Sequence, residues 1–123
     1  MIVLVLALMA GLYLINTYGT AFGYTSERAK TVAMTFIKEG PTFRFDGVED
    51  SVKVERILAT GRAYTWEVHV RFECLHFGYG DRTGKVILPV ITSHLAKVVV
   101  ERGRVVSAII DDKWDELDQT YVE

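Results

Sequence analysis

Residues 63–77, AYTWEVHVRFECLHF, alternate apolar and polar side chains along most of their length. A period of two sets Tyr64, Trp66, Val68, Val70, Phe72 and Cys74 on one face of a β-strand. Thr65, Glu67, His69, Arg71 and Glu73 fall on the other. A strand this long and this two-sided needs antiparallel neighbours and a cover over its apolar face.

The neighbours are legible in the flanking sequence. SVKVERIL (51–58) places Val52 and Val54 on one face, with Lys53 and Glu55 on the other. SHLAKVVVE and RVVSAIID follow, joined at Glu101-Arg102-Gly103, where Gly103 can supply the positive φ of a three-residue hairpin loop. Facing residues of an antiparallel pair point to the same side of the sheet. The preferred register therefore sets Val98 and Val100 beside the Trp66 face, because a slip of one residue would expose the whole apolar set. It also brings Lys97 opposite Glu67. The same test aligns Val106, Ala108 and Ile110 with Ala96, Val98 and Val100.

The cover is Ser26–Glu39. Thr25 or Ser26 can cap this helix, and Glu27 suits the positive end of its dipole. Ala29, Val32, Ala33, Phe36 and Ile37 fall at the spacing of one helical face, and Gly40-Pro41 ends the run. TFRFDG (42–47) is expected as an edge strand or a turn. Beyond the last long strand, Trp114, Leu117 and Tyr121 fit one face of a short helix. The expected fold class is α+β, with one amphipathic helix packed on a four-stranded antiparallel meander.

Before this domain (25–123) lies a segment of different character. The first charged side chain in the 123-residue chain is Glu27. Ile2–Phe22 has the length of a membrane helix, about 20 mostly apolar residues. Val3–Ile15 followed by Gly19-Thr20-Ala21 also suits a signal peptide without a basic leader, and a buried core helix or strand is the third alternative. A membrane anchor over 1–24 is the expectation, with the domain outside the cytoplasm. Arg28, Lys30 and Lys38 pull toward the opposite orientation. The net charge of −2 shows no basic stripe, so no nucleic-acid partner is expected.

HFGYGDRTGK (76–85) is the stretch most suggestive of chemistry. A phosphate loop needs a glycine five before Gly84 and a helix after Lys85. Tyr79 occupies the first position, and VILPVI, which reads as a strand, follows. The dinucleotide pattern lacks its third glycine, and for calcium only Asp81 is well placed. Asp81-Arg82-Thr83-Gly84 instead suits a type I turn with a glycine bulge. Cys74, His76 and His94 share one parity without a zinc-ligand spacing. Ser93-His94 cannot form a triad, because neighbours on a strand point to opposite sides. No cofactor, metal or catalytic constellation is expected. The residues expected to make contacts are Tyr79, Asp81 and Arg82 at an exposed tip. Leu95, Val99, Val105 and Ile109 would join them, on the sheet face away from the helix. The alternative for that face is that the carboxy-terminal segment folds back over it.

The order of elements resembles the cystatin-like group of folds, and KVVVERGRVVSAIID is similar to the terminal hairpin of PepSY-type domains. PTFRFDGVEDSVKV, WEVHVRFECLHFGYGDRTG and RGRVVSAIIDDKW resemble a family of small archaeal and bacterial envelope proteins over Ser26–Trp114. That resemblance implies a fold and a location and brings no activity. Members often carry Cys-x-x-Cys just before the tryptophan; here Gly61-Arg62-Ala63-Tyr64-Thr65 precedes Trp66, so a metal or redox role tied to that pair is absent. The function expected is a membrane-tethered, non-enzymatic interaction domain that binds a protein partner or itself. The alternatives are a subunit of a larger membrane complex, with Gly11, Gly19 and Gly23 permitting close helix contacts, or a ligand-binding or enzymatic domain with a helix–sheet cavity.

Overall fold

The computed structural model describes residues 23–123. Helix α1 (Ser26–Glu39) starts where Thr25 accepts a hydrogen bond from the Arg28 N–H at 3.2 Å. Ala29, Ala33 and Ile37 form its buried stripe, as their spacing predicts. Two of the three are alanines, so the helix backbone can lie close to the sheet. At Gly40 a Cβ would sit 2.9 Å from a carboxylate oxygen of Glu116, so this glycine is required by close approach. Pro41 opens a second short helix, α2 (Pro41–Asp46), where an edge strand or turn is expected. Proline at the first helical position gives up no hydrogen bond.

The sheet is a continuous antiparallel meander of six strands in sequential order. They are β1 (Lys53–Ala59), β2 (Thr65–Cys74), β3 (Thr92–Glu101), β4 (Arg104–Ile110), β5 (Trp114–Asp115) and β6 (Thr120–Tyr121). The expected one helix on four strands is thus corrected to two helices on six strands. The expected helix around Trp114, Leu117 and Tyr121 is replaced by the β5–β6 hairpin, in which Trp114 pairs with Tyr121. Local turn chemistry decides this. Asp111, Asp112 and Gln119 adopt positive φ, and Asp115 accepts from the N–H groups of Leu117 and Asp118. Side chains that bond their own downstream backbone favour a turn over a helix.

Strand parity follows the sequence pattern. Trp66, Val68, Val70, Phe72 and Cys74 pair with Val100, Val98, Ala96, His94 and Thr92 on the helix side. The register keeps the expected parity but is shifted by two residues: Lys97 faces His69, not Glu67. The hairpin to β4 turns on two residues rather than three, with Arg102 and Gly103 both at positive φ as a type I′ turn demands.

A bulge between Val99 and Val100 corrects the second face. Ala96 and Val98 meet Ile110 and Ala108 as expected, but Val100 meets Val105, leaving Val106 as the extra, exposed residue. Val105 therefore packs toward α1 with Val32 and Phe36. The core between α1, α2 and the sheet holds Ala33, Ile37, Phe43, Val68, Val70, Phe72, Val98 and Ile110. Each buried aliphatic or aromatic side chain there contributes roughly 1.5–3 kcal/mol relative to exposure.

The expected apolar helix over Ile2–Phe22 lies outside the described residues. Among the described residues, no helix is long and apolar enough to cross a membrane.

Candidate functional site

The chain between β2 and β3, residues 75–91, divides in two. Its first part, Gly78–Gly84, folds back onto the molecule. Arg82 is only 2% exposed, not at an open tip. Its guanidinium forms an ion pair with Asp46 at the end of α2, and it donates to the carbonyls of Gly80 (2.9 Å) and Thr42 (3.2 Å). It also lies over the Phe45 ring, 4.7 Å from the centroid. Asp46 further accepts from the backbone N–H of His76 at 2.7 Å, with the His76 ring Nδ1 at 2.9 Å.

A second carboxylate, that of Glu116, is 4% exposed and accepts three hydrogen bonds. They come from the Thr42 N–H (3.1 Å), the Thr42 hydroxyl (2.6 Å) and the Trp114 indole N–H (3.0 Å). Thr42 Oγ1 in turn accepts from the Gly80 N–H at 2.7 Å. Gly80 has φ of 69°, and a Cβ there would lie 3.0 Å from the Trp114 ring. Glycine is needed at this position on both counts. The network ties α2, the loop and β5 together.

Beside it, Asp111 accepts from His94 Nδ1 (2.6 Å), the Leu95 N–H (2.8 Å) and the Tyr79 hydroxyl (2.9 Å). Burial works to raise the Asp111 pKa, and these donors outweigh it, holding the carboxyl below its usual range. Burial foremost pushes the Tyr79 hydroxyl up, and the bond to Asp111 adds to this. Tyr79 stacks on Trp114 at 5.7 Å, with Tyr121 edge-on to both.

A histidine held by an aspartate is the arrangement of a general base. Here it is enclosed. His94 is 1% exposed, and its Nε2 is buried without a partner among the described residues, between the rings of Phe72 and Tyr79. No substrate can reach it in this conformation. Ser93 lies on the opposite face, where Arg71 donates to its hydroxyl. Cys74 is buried, its thiol pushed up to about 12 by burial and by the Asp46 carboxylate. Such a thiol is a poor nucleophile. Among the described residues no three His, Cys, Asp or Glu side chains converge as a metal site would require. An open surface cleft of about 590 Å³ is lined by Pro41, Arg44, Phe45, Asp81 and Thr83. Neither His76 nor His94 lines it.

The expected contact residues therefore separate. Asp81 is exposed, with its carboxylate accepting from the Thr83 N–H and hydroxyl. Tyr79 and Arg82 face the interior, and Val105 faces α1. Leu95, Val99 and Ile109 do share the sheet face away from α1, half-buried, with Lys97 between them. The carboxy-terminal segment covers the other face: Trp114 and Glu116 meet α2 and Tyr79.

A run of exposed apolar side chains lies elsewhere, on the second part of the connection. Val86 (105%), Leu88, Val90 and Ile91 stand in solvent with Leu75 and Phe77 (54%) beside them. The two limbs are linked where the Phe77 N–H donates to the Leu88 carbonyl at 3.0 Å. VILPVI forms no strand. Pro89 is the sequence signal that argued against one, since proline removes a ladder donor.

No known family model matches the chain, and neither a characterised protein nor a solved structure is significantly similar to it.

Proposed function

We propose that this chain is a non-enzymatic interaction domain, held at a membrane outside the cytoplasm through its apolar Ile2–Phe22 segment, and that it binds a protein through residues 75–91. The observation that carries this is the exposed apolar ribbon of Leu75, Phe77, Val86, Leu88, Val90 and Ile91. A water-exposed patch of this kind is costly for a folded domain to keep unless something covers it. The ribbon is also well supported. Arg82, Thr42 and Asp46 lock the adjoining loop to α2, and the Phe77 N–H ties the ribbon back at the Leu88 carbonyl. A pre-organised surface loses less entropy on binding.

The enclosure of His94 and the displaced thiol pKa of Cys74 favour binding over catalysis. The test uses membranes containing the full-length chain, solubilised in a mild detergent. The wild type is expected to migrate in a discrete assembly, and the V86D/L88D variant to migrate faster. An assembly unchanged by that double substitution would refute the ribbon as the binding surface.

A further inference from the structure

The ribbon also carries information about what covers it. Its exposed fractions, set against full residue areas of roughly 150–250 Å², amount to on the order of 700 Å² per molecule. That approaches the roughly 800 Å² that each partner contributes to a stable protein interface.

Charge narrows the choice of partner. From Val86 to Ala96 the chain carries no Lys, Arg, Asp or Glu. The ribbon thus offers nothing to select an acidic or a basic partner. With Lys85 at its margin, the stretch from Val86 to Ile91 places no like charges against each other when it meets itself, which suits a twofold contact. Position disfavours lipid. Tyr24, the second of the described residues, accepts through its carbonyl from the Trp66 indole N–H, near the beginning of β2. The ribbon begins beyond Cys74 at the far end of that strand, about 27 Å away at ~3.3 Å per residue. In a chain tethered before Tyr24, the tether and the ribbon thus lie at opposite ends of β2.

The backbone argues for a closed contact rather than an open stack. The Leu88 carbonyl accepts from Phe77 and Val90 N–H groups, turning that edge inward. Pro89 has no donor for the outer edge. Strand addition is disfavoured at Leu88-Pro89, which leaves side-chain packing as the main mode of association. We infer that the occupant of the ribbon is the same ribbon of a second copy of this chain, packed across a twofold axis. This rests on the interaction-domain reading above and names its partner.

The experiment is the mass of the purified full-length chain in mild detergent, measured by light scattering with the detergent subtracted. The wild type is expected to be a dimer, and V86D/L88D to have half that mass with an unchanged far-UV circular dichroism spectrum. L58D, on another exposed apolar side chain, is expected to stay dimeric. A wild-type monomer overturns the second-copy inference. If the membrane-extracted assembly still depends on Val86 and Leu88, the ribbon keeps its role with a different protein. A dimer that survives V86D/L88D overturns the inference too, and assigns self-association to another part of the chain.

Discussion

The two parts of the β2–β3 connection have opposite environments despite being contiguous. Gly78–Gly84 carries the polar and charged residues, and the fold buries its arginine against an aspartate and two carbonyls. Lys85–Ile91 carries the apolar residues, and the fold leaves them in water. This inverts the usual sorting of side chains. The comparison teaches that burial here follows hydrogen-bond partners as much as hydropathy. Arg82 finds acceptors for both terminal nitrogens of its guanidinium beneath α2, whereas Val86, Leu88, Val90 and Ile91 stay largely in water.

Breaking the buried half should have the largest effect. Arg82→Ala leaves the Asp46 carboxylate buried without its cation, and is expected to destabilise the fold by about 3–5 kcal/mol. Denaturant unfolding of the full-length chain measures this, and a loss below about 1 kcal/mol would place Arg82 at the surface. Replacing both partners, R82M/D46L, is expected to recover much of the loss, since apolar packing can substitute for a buried ion pair. The next effect is at Thr42, whose hydroxyl both donates to Glu116 and accepts from Gly80. Thr42→Val keeps the shape and removes both bonds, with an expected cost of about 1–3 kcal/mol.

Acid should loosen the same half of the connection. The Asp111 pKa lies below its unfolded value, so folding favours the ionised form. The resulting stability is fully present above the unfolded value of about 4. It is lost as pH falls through the lower folded value. Asp111→Asn is expected to lower stability at neutral pH and to flatten the acid limb of the stability profile. An unaltered acid limb would show that Asp111 is not the group responsible.

Cys74 sharpens the comparison from inside. With its thiol pushed up to about 12, it is expected to resist alkylation at pH 8 until the protein unfolds, so labelling should track global unfolding. The smallest effect on stability belongs to the exposed half. Measured at protein concentrations where the wild type is monomeric, Val86→Asp and Leu88→Asp are each expected to change unfolding free energy by no more than about 0.5 kcal/mol. A larger loss would mean that the ribbon packs within its own chain.

Much of the sheet was legible because the alternation over 65–74 fixes which side chains share a face. Only one face could be covered by α1. The same parity argument separated Ser93 from His94 and put His94 inside. The site was less legible. Glycines flanking Asp81 and Arg82 have the composition of an exposed tip, and nothing local announces that Thr42, Asp46 and Glu116 will converge on that loop from distant positions. Trp114 and Tyr121, seven residues apart, satisfy a helical stripe and a hairpin pair alike. Only the positive φ angles of Asp111, Asp112 and Gln119 distinguish the two.

The sequence by itself determined the elements whose periodicity repeats: α1, the long strands and the helix-facing core of Val68, Val70, Phe72, Val98 and Ile110. Repetition makes such signals robust, because every apolar residue in the series favours the same placement. The tertiary structure alone decided the features that turn on a single residue or a distant partner. One inserted residue, Val106, carries Val105 to the helix side. A carboxylate many residues away holds Arg82 inside. The apolar run from Val86 to Ile91 is left outside because the core is built on the paired faces of β2, β3 and β4, and this stretch joins no strand.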